Sequence, residues 1–392
     1  MMETNHEKLS ANTVGFCLLP SEIIQNILLH LALPEIICLK SVSRFVAGVI
    51  SDQNFERAYN SQSRPSAWLF VYKKRWNRDA ILHGFNDRSG RWFNFRVDGL
   101  LKPVICPGDQ IYFLTASSNV FLFVSNTRRE LLALDLGTKA VRTIPPSPLG
   151  PRGTSSWRRS GMKLVATGSG HFQFLFVDLV HSSPVLFVYS SKTDTWQSVE
   201  AREGLAEMPR VFQKEGGHVL LDAINGPYES TVTAVGLECG AYNNHAPIVL
   251  RPKFNPGHTD GLDRLQVFGD GNMLVVKSHG VDNAGVRMVS DIELWGGLRL
   301  NGSWQNWEVV SKVPRRIKEQ IRKPYRAMRG CLERREGIIR AVLVSNYDGL
   351  WDIIWLSYDT GRSLWTWLPL PDCEMKGLNM AGIAFSSGLT LP

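Results

Sequence analysis

The stretch Ile354-Trp-Leu-Ser-Tyr-Asp-Thr-Gly-Arg-Ser-Leu-Trp365-Thr-Trp367 contains an apolar strand, a polar turn and a second strand that begins near tryptophan. Two other stretches have the same order of residue types: Leu132-Ala-Leu-Asp-Leu-Gly-Thr-Lys-Ala-Val-Arg142 and Leu186-Phe-Val-Tyr-Ser-Ser-Lys-Thr-Asp-Thr-Trp196. The same kind of polar turn also precedes Trp92 and Trp307. Apolar runs separated by such turn residues are typical of β-hairpins. The sequence therefore repeats a hairpin unit.

The period of this repeat matches a propeller blade. The second strands lie near residues 92, 142, 196, 250, 307 and 367, at intervals of 50, 54, 54, 57 and 60. The position at 250 is placed by spacing, because it holds no tryptophan. A period near 50 residues with four strands per unit indicates a β-propeller. Six positions predict six blades, with the recurring tryptophans packed in the blade cores.

Short β-rich runs separated by Gly, Asn, Asp and Pro fill the chain from residue 68 onward. They cover residues 68–72, 111–115, 120–124, 172–177, 185–189, 218–222, 272–277, 338–344 and 353–357. The first unit, 68–102, is too short for four strands, and the tail 377–391 carries an apolar run at 383–385. We expect the tail to supply the missing strand, because a ring closed by strands from both chain ends leaves no free sheet edge.

Composition excludes several classes of protein. The chain has 392 residues, 44% hydrophobic and 20% charged, which is typical of globular domains. No apolar run approaches the ~18–20 residues of a membrane span, so no membrane association is expected. The polar N-terminus has no apolar segment typical of a secretory signal. Six dispersed cysteines fit reduced thiols in the cytosol or nucleus, so the expected location is nucleus, cytoplasm or both.

Residues 17–60 have a helical pattern instead. Apolar residues at 23, 24, 27, 28 and 31 fall on one face of a helix that Pro20 can start. Pro34 can open a second helix that carries Ile36 and Ile37. Ser43 is the expected N-cap of a third, with Phe45, Val46, Val49 and Ile50 on its inner side. So small a helical unit has little core of its own, and part of its apolar surface is expected to meet a partner.

The segment 19–52 resembles an F-box. It runs Leu19-Pro-Ser-Glu-Ile-Ile, then Ile27-Leu-Leu-His-Leu, then Ile36-Ile-Cys-Leu-Lys-Ser-Val-Ser-Arg44, then Val49-Ile-Ser-Asp52, with Phe55 as the closing aromatic residue. Ala32 stands where the family usually has Pro, and Val46 where it usually has Trp. The whole chain resembles a plant F-box/kelch-repeat protein. The expected fold is an α+β multidomain chain: a flexible N-terminus (1–15), a small three-helix F-box (16–62) and an all-β kelch-type propeller of six blades (66–392).

The resemblance implies a function without catalysis. Such a chain is the substrate-recognition subunit of an SCF (SKP–cullin–F-box) ubiquitin ligase, in which the F-box binds a SKP-type adaptor on a cullin–RING scaffold. Loops of the propeller then hold an unidentified protein substrate. By match to the motif, the candidate adaptor-binding residues are Leu19, Pro20, Ile27, Leu28, Leu31 and Val42. The alternatives are an F-box/propeller scaffold outside any ligase, or a propeller enzyme or lectin.

The basic residues are concentrated in one window. Residues 312–335 hold ten Lys or Arg and two Glu, which equals the whole excess of 44 − 36 = 8 positive charges. Three interpretations are open for this predicted loop: a solvated inter-blade connection, a nuclear-import cluster, and a site for a substrate or other acidic partner. Nucleic-acid binding is disfavoured because few aromatic residues are interleaved. The candidate residues are Arg315, Arg316, Lys318, Arg322, Lys323 and Arg326.

No motif indicates catalysis or a bound cofactor. The histidines, among them His218, His245, His258 and His279, have no metal-ligand spacing. Neither a phosphate-binding glycine loop nor a nucleophile elbow is present. We therefore expect no metal, no cofactor and no catalytic residues.

Overall fold

The computed structural model describes residues 18–61, 66–74, 80–105, 108–159, 161–168, 170–203, 217–225, 229–238, 241–242, 245–250, 264–280, 285–296, 308–371 and 380–391. The expected flexible segment 1–15 lies outside them. The chain forms two compact units: residues 1–66 with 389–392, and residues 67–388.

The first unit contains four short helices, which are α1 (Ser21–Leu29), α2 (Leu33–Lys40), α3 (Arg44–Ile50) and α4 (Gln53–Asn60). Ser43 caps α3 as predicted, since its hydroxyl accepts a hydrogen bond from Val46 N at 3.1 Å. The fourth helix is absent from the sequence-based prediction. Its cap is Asp52, whose Oδ1 accepts hydrogen bonds from the N–H groups of Asn54 and Phe55.

The chain's last residues are fixed to α4. Asn60 Nδ2 donates to the carbonyl of Leu391 at 3.3 Å, and Leu391 N donates to Asn60 Oδ1 at 2.8 Å. The core of this unit includes Ile24, Leu28 and Phe55, which are almost fully buried. Ala32 and Val46, the two departures from the F-box pattern, are also buried.

The second unit is an all-β propeller of six sheets. In chain order, the strands of the first three sheets are β1 (Ala67–Lys74), β2 (Ala80–Asn86), β3 (Arg91–Arg96), β4 (Ile111–Ser117), β5 (Val120–Ser125), β6 (Leu131–Asp135), β7 (Val141–Ile144), β8 (Met162–Gly168), β9 (His171–Val180), β10 (Ser183–Ser190) and β11 (Thr195–Glu200). The remaining strands, of which β26 belongs to the first sheet and the others to the last three, are β12 (Arg202–Glu203), β13 (His218–Asn225), β14 (Glu229–Glu238), β15 (Ala241–Tyr242), β16 (Ile248–Leu250), β17 (Arg264–Phe268), β18 (Asn272–Gly280), β19 (Arg287–Gly296), β20 (Glu308–Lys312), β21 (Pro324–Tyr325), β22 (Ala327–Arg335), β23 (Ile338–Tyr347), β24 (Leu350–Asp359), β25 (Leu364–Leu368) and β26 (Met380–Ser387). Three short helices lie between strands: α5 (Asp98–Leu101), α6 (Thr154–Arg159) and α7 (Arg315–Ile321).

The ring closes as predicted. Strand β26 pairs antiparallel with β1, so that blade 1 has the order β26-β1-β2-β3. The other five blades, with the strands of each given from the channel outward, are β4–β7 (blade 2), β8–β11 (blade 3), β13-β14-β16-β12 (blade 4), β17–β20 (blade 5) and β22–β25 (blade 6). Blade 4 is irregular because its outer strand, β12, precedes its inner strand in the chain and runs parallel to β16.

Apolar clusters between neighbouring blades hold the ring together. Leu122 and Phe174 share the cluster between blades 2 and 3, and Leu294 and Leu356 share that between blades 5 and 6. Blades 1 and 2 meet through an edge-to-face pair of Phe70 and Phe121, with ring centroids 4.7 Å apart.

The tryptophan repeat also has a structural role between blades. The indole N–H groups of Trp92, Trp196 and Trp365 each donate to the outer strand of the preceding blade or the residues after it, at 2.9 Å. The acceptors are Pro371 O, Pro145 O and Ser311 Oγ. Trp307 lies outside the described residues.

Candidate functional site: an apolar helical surface, a basic segment and the channel

The helical unit exposes an unusual number of large apolar side chains. Among the described residues, twelve large apolar side chains are exposed, and six of them lie between residues 18 and 45. These six form what we call the apolar set: Leu18, Ile23, Ile27, Ile37, Val42 and Phe45. The most exposed are Leu18 at 75% and Val42 at 70%. Apolar groups at this density are typical of a surface that a partner covers.

The predicted adaptor-binding residues fall into three environments. Pro20, Ile27 and Val42 are exposed, and Leu19 and Leu31 are half-buried. Leu28 is fully buried and packs inside the unit. Helix geometry explains the difference, because Leu28 lies one turn from buried Ile24, whereas Ile27 lies one turn from exposed Ile23.

Four exposed residues escaped the sequence prediction: Leu18, Ile23, Ile37 and Phe45. Phe45 was expected on the inner side of α3, but that side is occupied by Val46, Val49 and Ile50. The sequence does contain a sign of this exposure: the apolar run 45–50 spans more than one full helical turn, so its residues cannot all lie on one buried face of the helix.

The basic segment is ordered, and the expectation of one long loop is wrong. Residues Arg315–Ile321 form α7, followed by β21 and by β22, the inner strand of blade 6. Lys318 Nζ lies 2.8 Å from Asp291 Oδ1, and Lys323 Nζ lies 2.7 Å from Asp352 Oδ2. Arg315 pairs with Glu319 one turn later, at 2.7 Å. The side chains of Arg316, Arg322 and Arg326 are exposed, with no ion-pair partner among the described residues.

The inner strands enclose a cavity of about 480 Å³ along the channel. Its lining includes Lys163, Asp222, Asp270 and Glu333, together with the half-buried thiol of Cys331. Lys163 Nζ contacts Asp270 Oδ1 at 2.7 Å, and thereby links blade 3 to blade 5. Burial raises the pKa of Asp222 to about 6 and that of Glu333 to about 7.

The channel is charged but has no arrangement that assigns a reaction. Arg340 Nη1 lies 3.9 Å from Glu333 Oε1, and Arg340 also reaches Asp87 of blade 1 at 3.5 Å. Among the described residues, no group of three His, Cys, Asp or Glu side chains is placed to hold a metal ion.

A known protein family matches the helical unit. Residues 16–57 match the F-box domain family. No curated protein matches the chain. Of the helices in the described residues, none is both long and apolar enough to span a bilayer.

Several solved structures are similar to the chain at low identity. For TolB from Acinetobacter baumannii the TM-score is 0.40 and the identity 10%, over 88% of this chain and 73% of that one. For a chain of a nidogen/laminin complex the values are 0.39 and 9%, over 82% and 99%. For apo AztD from Citrobacter koseri they are 0.34 and 10%, over 83% and 100%. The chain is thus an N-terminal F-box of four short helices followed by an all-β, six-bladed propeller.

Proposed function

We propose that this protein is the substrate receptor of an SCF ubiquitin ligase, with its F-box bound to a SKP-type adaptor and its propeller bound to the protein to be ubiquitinated. The observation that carries the proposal is the apolar set on a domain of the F-box family. F-box domains generally bind such adaptors, and an F-box with a propeller is typical of non-catalytic adaptors.

In this role the chain contributes position and no chemistry. Binding a substrate beside a conjugating enzyme raises the effective concentration of its lysines there. The adaptor links the F-box to a cullin–RING scaffold, which brings the enzyme. No metal, cofactor or nucleic acid takes part in this proposal.

For the adaptor contact we propose Leu19, Pro20, Ile27, Leu31 and Val42 as direct contacts. Of these five, Ile27 is 41% exposed and Val42 is 70% exposed. Leu28 supports the contact from beneath, since it is buried in the core that holds α1 in place. Leu18, Ile23, Ile37 and Phe45 join the proposed surface because they are exposed beside the motif.

The finer features of the family also stay proposals. We propose that the propeller is of kelch type, supported by the hairpin repeat with its tryptophans, that the chain is of plant origin, and that it acts in the nucleus, the cytoplasm or both. An F-box scaffold outside a ligase is the alternative. Recruitment of a cullin and ubiquitination of a bound protein separate the two functions.

The test is a calorimetric titration of the full chain against a purified SKP-type adaptor. The variant Ile27→Asp/Val42→Asp places two charges in the apolar set, while Asn54→Asp/Ala58→Asp places two charges on exposed positions of α4. Charges buried at the centre of an interface cost at least ~2 kcal/mol, which is a loss of affinity of about thirtyfold or more. The control should bind within about twofold of the wild type.

Two results would overturn the proposal. One is no adaptor binding by a wild-type chain whose helices are intact by circular dichroism. The other is an equal loss of affinity in both variants, which would locate the contact outside the apolar set.

A further inference from the structure

The exposed arginines of the basic segment lie at the same end of the propeller as an apolar hairpin tip, and Arg326 adjoins that hairpin. Strands β23 and β24 form a hairpin whose end residues, Tyr347 and Leu350, are exposed at 41% and 50%. With Arg316, Arg322 and Arg326 they form what we call the basic–apolar surface. Asp348, in the turn between Tyr347 and Leu350, is the one acidic residue of that turn.

Direct contacts hold the two segments together. Arg326 N donates to the carbonyl of Asn346 at 2.8 Å, next to Tyr347. The ion pair of Lys323 with Asp352 joins the same two segments. Ile321 and Tyr325 are buried in the cluster between blades 5 and 6, and thereby anchor the residues that flank Arg322. The surface is therefore built on fixed backbone, and little ordering entropy is lost when a ligand binds.

Blade topology places both segments at one end of the propeller. The segment with α7 joins the outer strand of blade 5 to the inner strand of blade 6, and the hairpin joins the second and third strands of blade 6. In an antiparallel meander these two kinds of connection lie at the same end. Ala67 and Gly388, the ends of the propeller unit, lie at the other end, because β1 begins where β26 finishes.

The net positive charge of the basic–apolar surface favours an acidic partner. Lys318, Lys323 and Arg315 are neutralised by neighbouring acids, so they add little net charge to the surface. The three exposed arginines keep theirs, and their planar guanidinium groups match carboxylates in a two-pronged geometry. Tyr347 and Leu350 add exposed apolar side chains at the same end of the propeller. A nucleic acid would need several stacking rings, whereas the surface exposes one aromatic side chain.

We infer that the basic–apolar surface binds an acidic protein segment with interspersed apolar side chains. The inference deepens the proposed function, and rests on it only in identifying that segment as part of the ligase substrate.

The test measures binding of the full chain to a fluorescein-labelled 12-residue peptide, Glu-Glu-Leu repeated four times, by fluorescence anisotropy. The variant Arg316→Glu/Arg322→Glu/Arg326→Glu reverses the three free charges. The control, Arg96→Glu/Lys192→Glu/Arg202→Glu, makes the same change of net charge at exposed positions on other blades. A second variant, Tyr347→Ser/Leu350→Ser, removes the apolar contacts and leaves the charge unchanged.

We expect the Arg variant to bind the peptide at least about tenfold more weakly than the wild type, since each reversed charge turns an attraction into a repulsion. The control should stay within about twofold, because charges farther away than a Debye length of about 8 Å are screened at physiological salt. The serine variant should lose about threefold or more in affinity. Wild-type binding should weaken several-fold between 50 and 300 mM NaCl, a measurement that needs no variant.

Four results would each overturn the inference. They are no binding of the peptide by the wild type, an equal loss in both triple variants, equal affinity for a Gln-Gln-Leu peptide, and tighter binding of a 12-nucleotide oligo(dT) through the same arginines. The Arg variant is also titrated with the SKP-type adaptor. Adaptor binding that fails in the wild type refutes the proposed function, whereas peptide binding that fails while adaptor binding persists refutes only this inference.

Discussion

Glu333 is the residue whose replacement tests the energetics of the channel most directly. It lies on β22, lines the cavity and is 8% exposed. Its Oε1 accepts no hydrogen bond from the described residues, and the guanidinium of Arg340 stays 3.9 Å away. Burial is the main cause that raises its pKa to about 7, with Asp270 adding to the effect and Lys163 and Arg340 opposing it. The charged carboxylate is therefore disfavoured in the folded state.

The sign of the effect follows from proton linkage. Between pH 4.5 and about 7 the unfolded chain has released the Glu333 proton while the folded chain retains it, so stability falls as pH rises through this window. The difference between 4.5 and 7 corresponds to roughly 3 kcal/mol, most of which falls between pH 5 and pH 8. Glu333→Gln removes this contribution, because the amide carries no charge at any of these pH values.

Urea denaturation at pH 5 and pH 8 measures the prediction. All twelve tryptophans lie between residues 68 and 367, so their fluorescence reports on the propeller alone. The raised pKa of Asp222 causes a loss of stability in the same direction. Between pH 5 and pH 8 the wild type should therefore lose more than roughly 2 kcal/mol, and the variant should lose roughly 2 kcal/mol less than the wild type. The control Glu308→Gln, at an exposed position, should have the same free energy of unfolding as the wild type at pH 5 and at pH 8. If Glu333→Gln retains the wild-type difference between pH 5 and pH 8, the argument from burial is refuted.

Two further predictions concern single residues. At Gly382 φ is +152°, and a Cβ there would lie 2.1 Å from the carbonyl oxygen of Phe113. Gly382→Ala should therefore lower the free energy of unfolding by about 3 kcal/mol in the same tryptophan-monitored denaturation. The control Gly99→Ala, at a position with open space around it, should be neutral or slightly stabilising. N-ethylmaleimide at pH 8 should alkylate exposed Cys38 well before Cys331, because burial raises the pKa of the Cys331 thiol to about 12. Peptide mapping by mass spectrometry measures both rates, and equal rates would contradict the prediction.

The propeller was predictable because its signal is repeated. The hairpin recurs at a near-constant period, with Trp92, Trp196 and Trp365 near the start of the outer strand in blades 1, 3 and 6, and closure by β26 followed from the short first unit. Strand β22 escaped prediction because Arg329, Glu333, Arg334 and Arg335 obscure its alternation of apolar and polar residues. Arg329 and Glu333 line the channel, an environment that only the assembled ring provides.

The binding surfaces were only partly predictable. The sequence shows that α1 has a wide apolar stripe, but not that Ile24 and Leu28 face the core while Ile23 and Ile27 face solvent. That division is set by contacts with helices that are distant in the sequence. The basic window likewise appeared as one charged loop, because no local rule pairs a lysine with an aspartate 29 residues away, as Lys323 pairs with Asp352.

The helical unit exposes more of its large apolar side chains than the propeller does for its size. This difference supports the proposal that the F-box binds an adaptor and the propeller binds a substrate. A closed propeller pairs its strand edges within the ring and buries its blade clusters. The F-box leaves Ile37 53% exposed and Val42 70% exposed, although burial of each side chain would stabilise the unit by roughly 1.5–3 kcal/mol. These side chains are largely outside the core of the unit, which includes Ile24, Leu28 and Phe55. Their exposure supports the proposed adaptor contact, and the proposed acidic ligand would bind a separate, charged surface that the propeller carries by itself.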